Sequence, residues 1–233
     1  MSLGILFTMI FFISKALSVA PDESENYILS KADNIIDLTS HGLSEEIFSL
    51  ALEGYQSLLD DNCLERDTIL SVIDYSMPSD QERMFVIDMK NKKLLFKSLV
   101  AHGKASGDII PCSFSNQPSS HKSSLGFFVT GKIYNGKHGY SLTIEGMEKD
   151  INNNAGKRAI VFHGAAYVSL DYIGKYGRIG RSFGCPALPQ DMNRIIIDII
   201  KDKSCVFIYA PDPLYFMNST MISSRKYCQR VAE

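Results

Sequence analysis

Apolar and polar residues follow two different periods along this chain. Ile28, Ala32, Ile35 and Ile36 recur at helical spacing and predict a helix within residues 22–40. Ser44 then stands as an N-cap, with Glu45 and Glu46 suited to the positive end of a helix dipole. Ile47, Leu50, Ala51, Tyr55 and Leu58 form the apolar stripe of a second helix. Stripes of this kind pack helices onto a larger core. From Thr68 the period shortens. "TILSVIDYS", "RMFVIDMK", "LLFKSLVAHG", "LGFFVTGKIY", "YSLTIEG" and "RAIVFHGAAYV" are short β-branched or aromatic runs, and turns such as "KNKK" and "NGKHG" divide them. That is the signature of antiparallel strands. "DMNRIIIDIIKD" (191–202) predicts one late helix, and "CVFIYA" a final strand. Two helices, many strands, a helix and a strand argue for a β-rich α+β domain rather than an alternating parallel sheet. The tail from Pro211 reads as irregular and either wraps the domain or stays mobile.

The first residues change this picture. Leu3 to Ile13 form an apolar run of signal-peptide length, followed by the small residues Ala16, Ser18 and Ala20. The expectation is an exported protein, with residues 1–20 a signal peptide or membrane anchor. Membrane contact is expected only if that segment stays uncleaved. The remaining divisions are a helical segment at 21–65, a catalytic-size domain at 66–210 and a tail at 211–233. A formal net charge of −2 shows no polyelectrolyte character, and no basic run points to nucleic acid, so no nucleic acid partner is expected. Export also changes how the 5 cysteines read. Cys63, Cys112, Cys205 and Cys228 allow three pairings, and Cys205, within an apolar strand, reads as a buried small hydrophobe.

The fifth cysteine lies in "GRIGRSFGCPALP" (177–189), a stiff loop of glycines and prolines. Cys185 needs a base or a positive field to become a thiolate near neutral pH. His163 ends the apolar strand "KRAIVFHG", so its backbone is fixed, and Gly164 lets another backbone approach. A cysteine and a histidine on adjacent rigid elements make the minimal nucleophile–base pair. Gly184 lets the loop turn its amides toward an incoming carbonyl oxygen, and Pro186 fixes φ behind it. His121, in "SSHKSSLG", and His138, in "GKHGYSL", are candidates for substrate hydrogen bonding or else surface loop histidines, and His102 reads the same way. Zinc is the rival chemistry, since His102, His121, His138, His163, Cys112 and Cys185 supply enough donors. None of them has the short spacing of zinc ligands, so neither a metal nor a cofactor is expected.

"HGAAYVS…GRSFGCPALP" resembles the catalytic segment of the L,D-transpeptidase family, the cysteine enzymes that crosslink bacterial peptidoglycan. "LVAHGKASG", "SSHKSSLGFFVTG", "GKHGYSL" and "LTIEG" are similar to the murein L,D-transpeptidase catalytic domain, and the resemblance covers roughly residues 45 to 210. It implies a β-sandwich catalytic domain preceded by two short helices. It implies Cys185 as nucleophile, His163 as general base and the Gly164 carbonyl as the group orienting the ring. The amides of Cys185 and Gly184 become the oxyanion donors, and Gly126 the glycine of the strand lining the cleft. Ser182 matches the serine of the family's Ser/Thr-His-Gly-Cys motif, a candidate substrate contact. Phe183 stands in place of the motif's histidine, and Pro186 and Ala187 in place of a polar residue. Arg178 or Arg181 would replace that polar group against a substrate carboxylate, or else are solvated loop arginines. The 164–184 segment is longer than usual and is a candidate lid. The implied partner is a peptidoglycan stem peptide, and the implied location of the exported chain is the periplasm or bacterial cell envelope. The acceptor stays open between a second stem, water and a protein lysine, and a non-catalytic peptidoglycan-binding protein is the alternative of another class. The oligomeric state has no signal in the sequence.

Overall fold

The computed structural model describes residues 38–222. The expected leader, all but the end of the first expected helix, and Cys228 lie outside the described residues. The second helix, α1, runs Glu45–Asp60. Ser44 caps it, its hydroxyl accepting the Ile47 amide at 3.2 Å. All five expected stripe residues are buried. Gly54 lets the helix press on the sheet, since a Cβ there would overlap the Phe127 ring.

Eight strands follow: β1 Ile69–Asp74, β2 Met84–Asp88, β3 Lys93–Ser98, β4 Gly126–Gly136, β5 Gly139–Gly146, β6 Val161–Gly164, β7 Ala187–Leu188 and β8 Cys205–Tyr209. They hydrogen-bond in the order β3-β2-β1-β8-β4-β5-β6-β7. The pairs β1–β8 and β6–β7 are parallel and the others antiparallel. β1 and β8, in the interior of the sheet, are buried along their whole length. That explains the unbroken apolar run of β8, because alternation appears only where one face meets water. Phe127 and Phe207 stack at 4.4 Å in this core, and Cys205 is fully buried beside them.

The sheet closes on itself. β3 and β7 are its two edges. Just past β3, the Ala101 amide donates to the Ala187 carbonyl of β7 at 2.8 Å, and Gly103 bridges Ser182. β4 carries a register shift between Thr130 and Ile133. Such irregularities bend a strand and let a long sheet turn back over its core. The closure buries a second, smaller apolar cluster of Leu99, Ala101, Ala165, Val168, Ile179 and Ala187.

Helices α2 (Leu170–Tyr176), α3 (Asn193–Ile200) and α4 (Pro213–Asn218) complete the domain. Only α3 was predicted from its apolar period. α2 has no buried residue, so no apolar stripe marks it. α2 lies in the expected lid, whose flanks are anchored by the buried side chains of Val168 and Ile179. The tail is not irregular at its start. Asp212 caps α4 by accepting the Leu214 and Tyr215 amides, and Tyr215 and Phe216 pack into the core.

Candidate active site

Period-two alternation in β6 separates its side chains. Phe162 enters the core, while Val161 and His163 face a cleft of about 430 Å³. β7 runs parallel to β6 with Ala187 opposite His163, so the loop ending in Cys185 passes beside the same strand. Cys185 and His163 line one cleft, together with Tyr134, Lys137, His138, Arg158, Tyr167, Arg181, Ser182 and Phe183. The sheet thus brings together two residues far apart in sequence.

His163 is held by one bond to its own chain. Its Nδ1 lies 3.1 Å from the Gly164 carbonyl. A carbonyl only accepts, so Nδ1 carries the proton and Nε2 keeps its lone pair. Gly164 is pinned in turn, because a Cβ there would sit 3.1 Å from Asn193 of α3. The Asn193 side chain donates to the Tyr140 carbonyl at 2.8 Å. Burial pushes the His163 imidazole below its ordinary value, and the nearby His138 and Lys137 act in the same direction. His138 stacks on His163 with ring centroids 4.3 Å apart. It therefore contacts the base itself and leans over the cleft from the β4–β5 hairpin.

Cys185 is half-buried, its sulfur 3.7 Å from the Ala159 carbonyl. Burial pushes the thiol above its ordinary value. The Val161 amide, the Arg158 guanidinium, the Lys137 ammonium and the Cys185 amide pull the other way. Both shifts favour the uncharged forms, the thiol and the imidazole. The Cys185 amide lies beside its own sulfur. The Gly184 amide differs from expectation, because it donates to Ser182 Oγ at 3.0 Å and is already committed.

Ser182 lines the cleft as expected, but its hydroxyl is bound within its own loop. It is buried, and its hydroxyl donates to the Cys185 carbonyl at 2.6 Å while accepting from Gly184. Its amide donates to the His102 carbonyl. One hydroxyl therefore sets the turn that presents Cys185. Gly184 has φ 125°, and a Cβ there would lie 2.8 Å from the Lys122 carbonyl, so only glycine fits.

Four candidates, Gly126, His121, Arg178 and His102, lie away from the cleft lining. Gly126 starts β4 with φ 96°, and a Cβ there would fall on the Glu148 carboxylate. It makes room for a buried acid rather than for substrate. His121 stacks on Phe183 at 4.5 Å, and Lys104 lies over the same ring at 4.3 Å. Phe183 is 62% exposed at the rim, so His121 supports a cleft wall without lining it. Arg178 already holds a carboxylate of its own chain, Asp108 at 2.8 Å, and Arg181 joins it at 3.1 Å. Neither is a solvated loop arginine. His102 is fully buried against Arg83, its Nδ1 2.8 Å from Nη2.

Sequence reasoning missed Arg158, Lys137 and Tyr167. They stand in or beside the quoted segments "KRAIVFHG", "GKHGYSL" and "HGAAYVS", but no spacing ties them to Cys185, and only the fold brings them there. Burial beside the sulfur pushes the Tyr167 hydroxyl up to about 12. Among the described residues no group of three or more His, Cys, Asp or Glu side chains is arranged to hold a metal ion.

No curated protein matches this sequence. Solved structures match with full probability but loosely. An L,D-transpeptidase from Mycobacterium smegmatis is 14% identical with a TM-score of 0.39, over 61% of this chain and 59% of that one. A variant of the helical cell shape determining protein Pgp2 from Campylobacter jejuni is 14% identical with a TM-score of 0.41, over 77% and 61%. An L,D-transpeptidase from Stackebrandtia nassauensis is 13% identical with a TM-score of 0.36, over 73% and 69%. The chain spans about three fifths of the length of the first two. The model of the L,D-transpeptidase catalytic domain matches residues 39–209, from ahead of α1 to the end of β8. That span takes in most of the chain and both walls of the cleft, and the chain belongs to the L,D-transpeptidase catalytic domain family.

Proposed function

We propose that this chain is an exported peptidoglycan L,D-transpeptidase that works through a Cys185 acyl-enzyme. The observation that carries the reading is the state of His163. Its Nδ1–H is held by the Gly164 carbonyl, so Nε2 is the basic nitrogen in the cleft it shares with Cys185. A neutral thiol needs such a base at the moment of attack. Nε2 takes the thiol proton as sulfur adds to the carbonyl at the L-centre of the diamino acid in a tetrapeptide stem. The Cys185 amide faces the oxyanion that forms. The carbon–nitrogen bond to the terminal D-alanine then breaks, and His163 returns its proton to the leaving amine. A thioester remains. An acceptor amine from a second stem attacks it, loses its proton to His163 and regenerates the thiol, leaving a 3→3 crosslink.

The test incubates purified protein with a disaccharide-tetrapeptide, with Cys185→Ala in parallel, followed by mass spectrometry. Expected are release of one D-alanine, a transient adduct on the wild type alone, and a crosslinked dimer. A tripeptide product without dimer names water as the acceptor instead. Folded wild-type protein that gives neither adduct nor D-alanine sinks the enzyme reading and favours a binding protein.

A further inference from the structure

The cleft around Cys185 is lined by three cationic side chains, Lys137, Arg158 and Arg181, and by no carboxylate. Arg181 is balanced by Asp108. Arg158 is not. Its Nη1 donates to the Ser115 carbonyl at 2.6 Å and the Ser124 hydroxyl at 2.5 Å. Its Nη2 donates to the Ser120 hydroxyl at 3.3 Å and the Lys122 carbonyl at 2.5 Å. All four partners are neutral, and among the described residues no Asp or Glu pairs with it. These bonds fix the guanidinium beside the nucleophile loop, 3.3 Å from where a Gly184 Cβ would stand. Lys137, exposed in the β4–β5 turn, likewise has no ion pair among the described residues.

A half-buried charge without a counter-charge is costly, and a protein that keeps one at a cleft favours a ligand of opposite sign there. We propose that Lys137 and Arg158 form an anion subsite beside Cys185, which selects acyl donors carrying a free carboxylate next to the scissile amide. The carboxylate nearest that bond is the one on the leaving residue. A carboxylate on the diamino acid side chain is the other source of the same chemistry. The donor assignment rests on reading Cys185 as the acylated nucleophile, whereas the positive field at its sulfur does not.

Two measurements separate these. The first needs no turnover. Cys185 alkylation by iodoacetate and by iodoacetamide is followed peptide by peptide, with Cys112, exposed and outside the cleft, as internal reference. The iodoacetate-to-iodoacetamide rate ratio is expected to be higher at Cys185 than at Cys112. Lys137→Glu should lower it about tenfold, and Lys137→Ala by less. Lys137 is exposed, so these variants leave the core intact. Equal ratios at the two cysteines, unmoved by Lys137→Glu, would overturn the subsite.

The second compares tetrapeptide donors amidated at the terminal carboxyl or at the side-chain carboxyl. The subsite predicts that terminal amidation raises the donor KM in the wild type toward the value that Lys137→Glu shows for the free acid. A rise with side-chain amidation alone assigns the site to the diamino acid instead. An unchanged KM with both overturns the donor assignment. A charge-dependent alkylation ratio with no turnover of any donor keeps the subsite and sinks the transpeptidase reading.

Discussion

At the residue scale, the neutral Cys185–His163 pair makes a definite pH prediction. The folded thiol value is raised, chiefly by burial, so the reactive thiolate is scarce at neutral pH. Alkylation of Cys185 should be slower at pH 7 than that of a small free thiol, and should rise through a midpoint above the ordinary cysteine value. His163 is shifted the other way, so it stays a base below the ordinary imidazole value. Its stacked neighbour His138 shields it from water and opposes its protonation. His138→Ala should move the acid limb of the kcat/KM profile to higher pH, with Cys185 alkylation little changed. An unmoved acid limb would make His138 a mere wall of the cleft. Cys185, His163 and Gly164 were legible in the sequence because each stands in a short motif with its own chemistry. Ser182 was legible only as a motif position. Its task, bridging the Gly184 amide and the Cys185 carbonyl, depends on a loop conformation that no spacing reveals.

At the scale of elements, legibility followed period and length. α1 declared itself by a cap and a sixteen-residue amphipathic run, and the long strands by β-branched clusters. β7 is only 2 residues long, yet it carries the nucleophile loop onto β6. No pattern of two residues can be periodic, so the pivotal element of the site was invisible. Its geometry is fixed by Gly184 instead. A side chain there meets both a φ that L-residues avoid and the Lys122 carbonyl. Gly184→Ala should cost about 1–3 kcal/mol in chemical denaturation. The shift of Cys185 should lower turnover about 100-fold. Full stability with full turnover would show that the loop relaxes around the methyl group.

At the scale of the whole molecule, the sequence predicted the α+β class but not the closure, which joins residues more than eighty apart through Ala101 and Ala187. The same holds for the clamp that docks α4. Glu148 is buried, and its carboxylate accepts the Phe127 amide at 2.8 Å, the Tyr215 hydroxyl at 3.3 Å and the Ser219 hydroxyl. It lies in "EGMEKD", where no motif or apolar period marks a buried acid. Glu148→Ala leaves a buried amide and a buried hydroxyl without their acceptor, and should destabilise the fold by about 3 kcal/mol. Among the described residues the carboxylate has no ion pair, and burial raises its value above that of an ordinary glutamate. A raised folded value means that the native state binds its proton more tightly than the unfolded chain. The contribution of Glu148 is therefore full below the ordinary glutamate value and is lost as pH rises through the folded one. The measurement is denaturation of wild type and Glu148→Gln across that window, where the glutamine does not titrate. The wild type should lose ground to the variant as pH rises. If it gains instead, the three donors outweigh burial, and α4 is clamped by the ionised carboxylate.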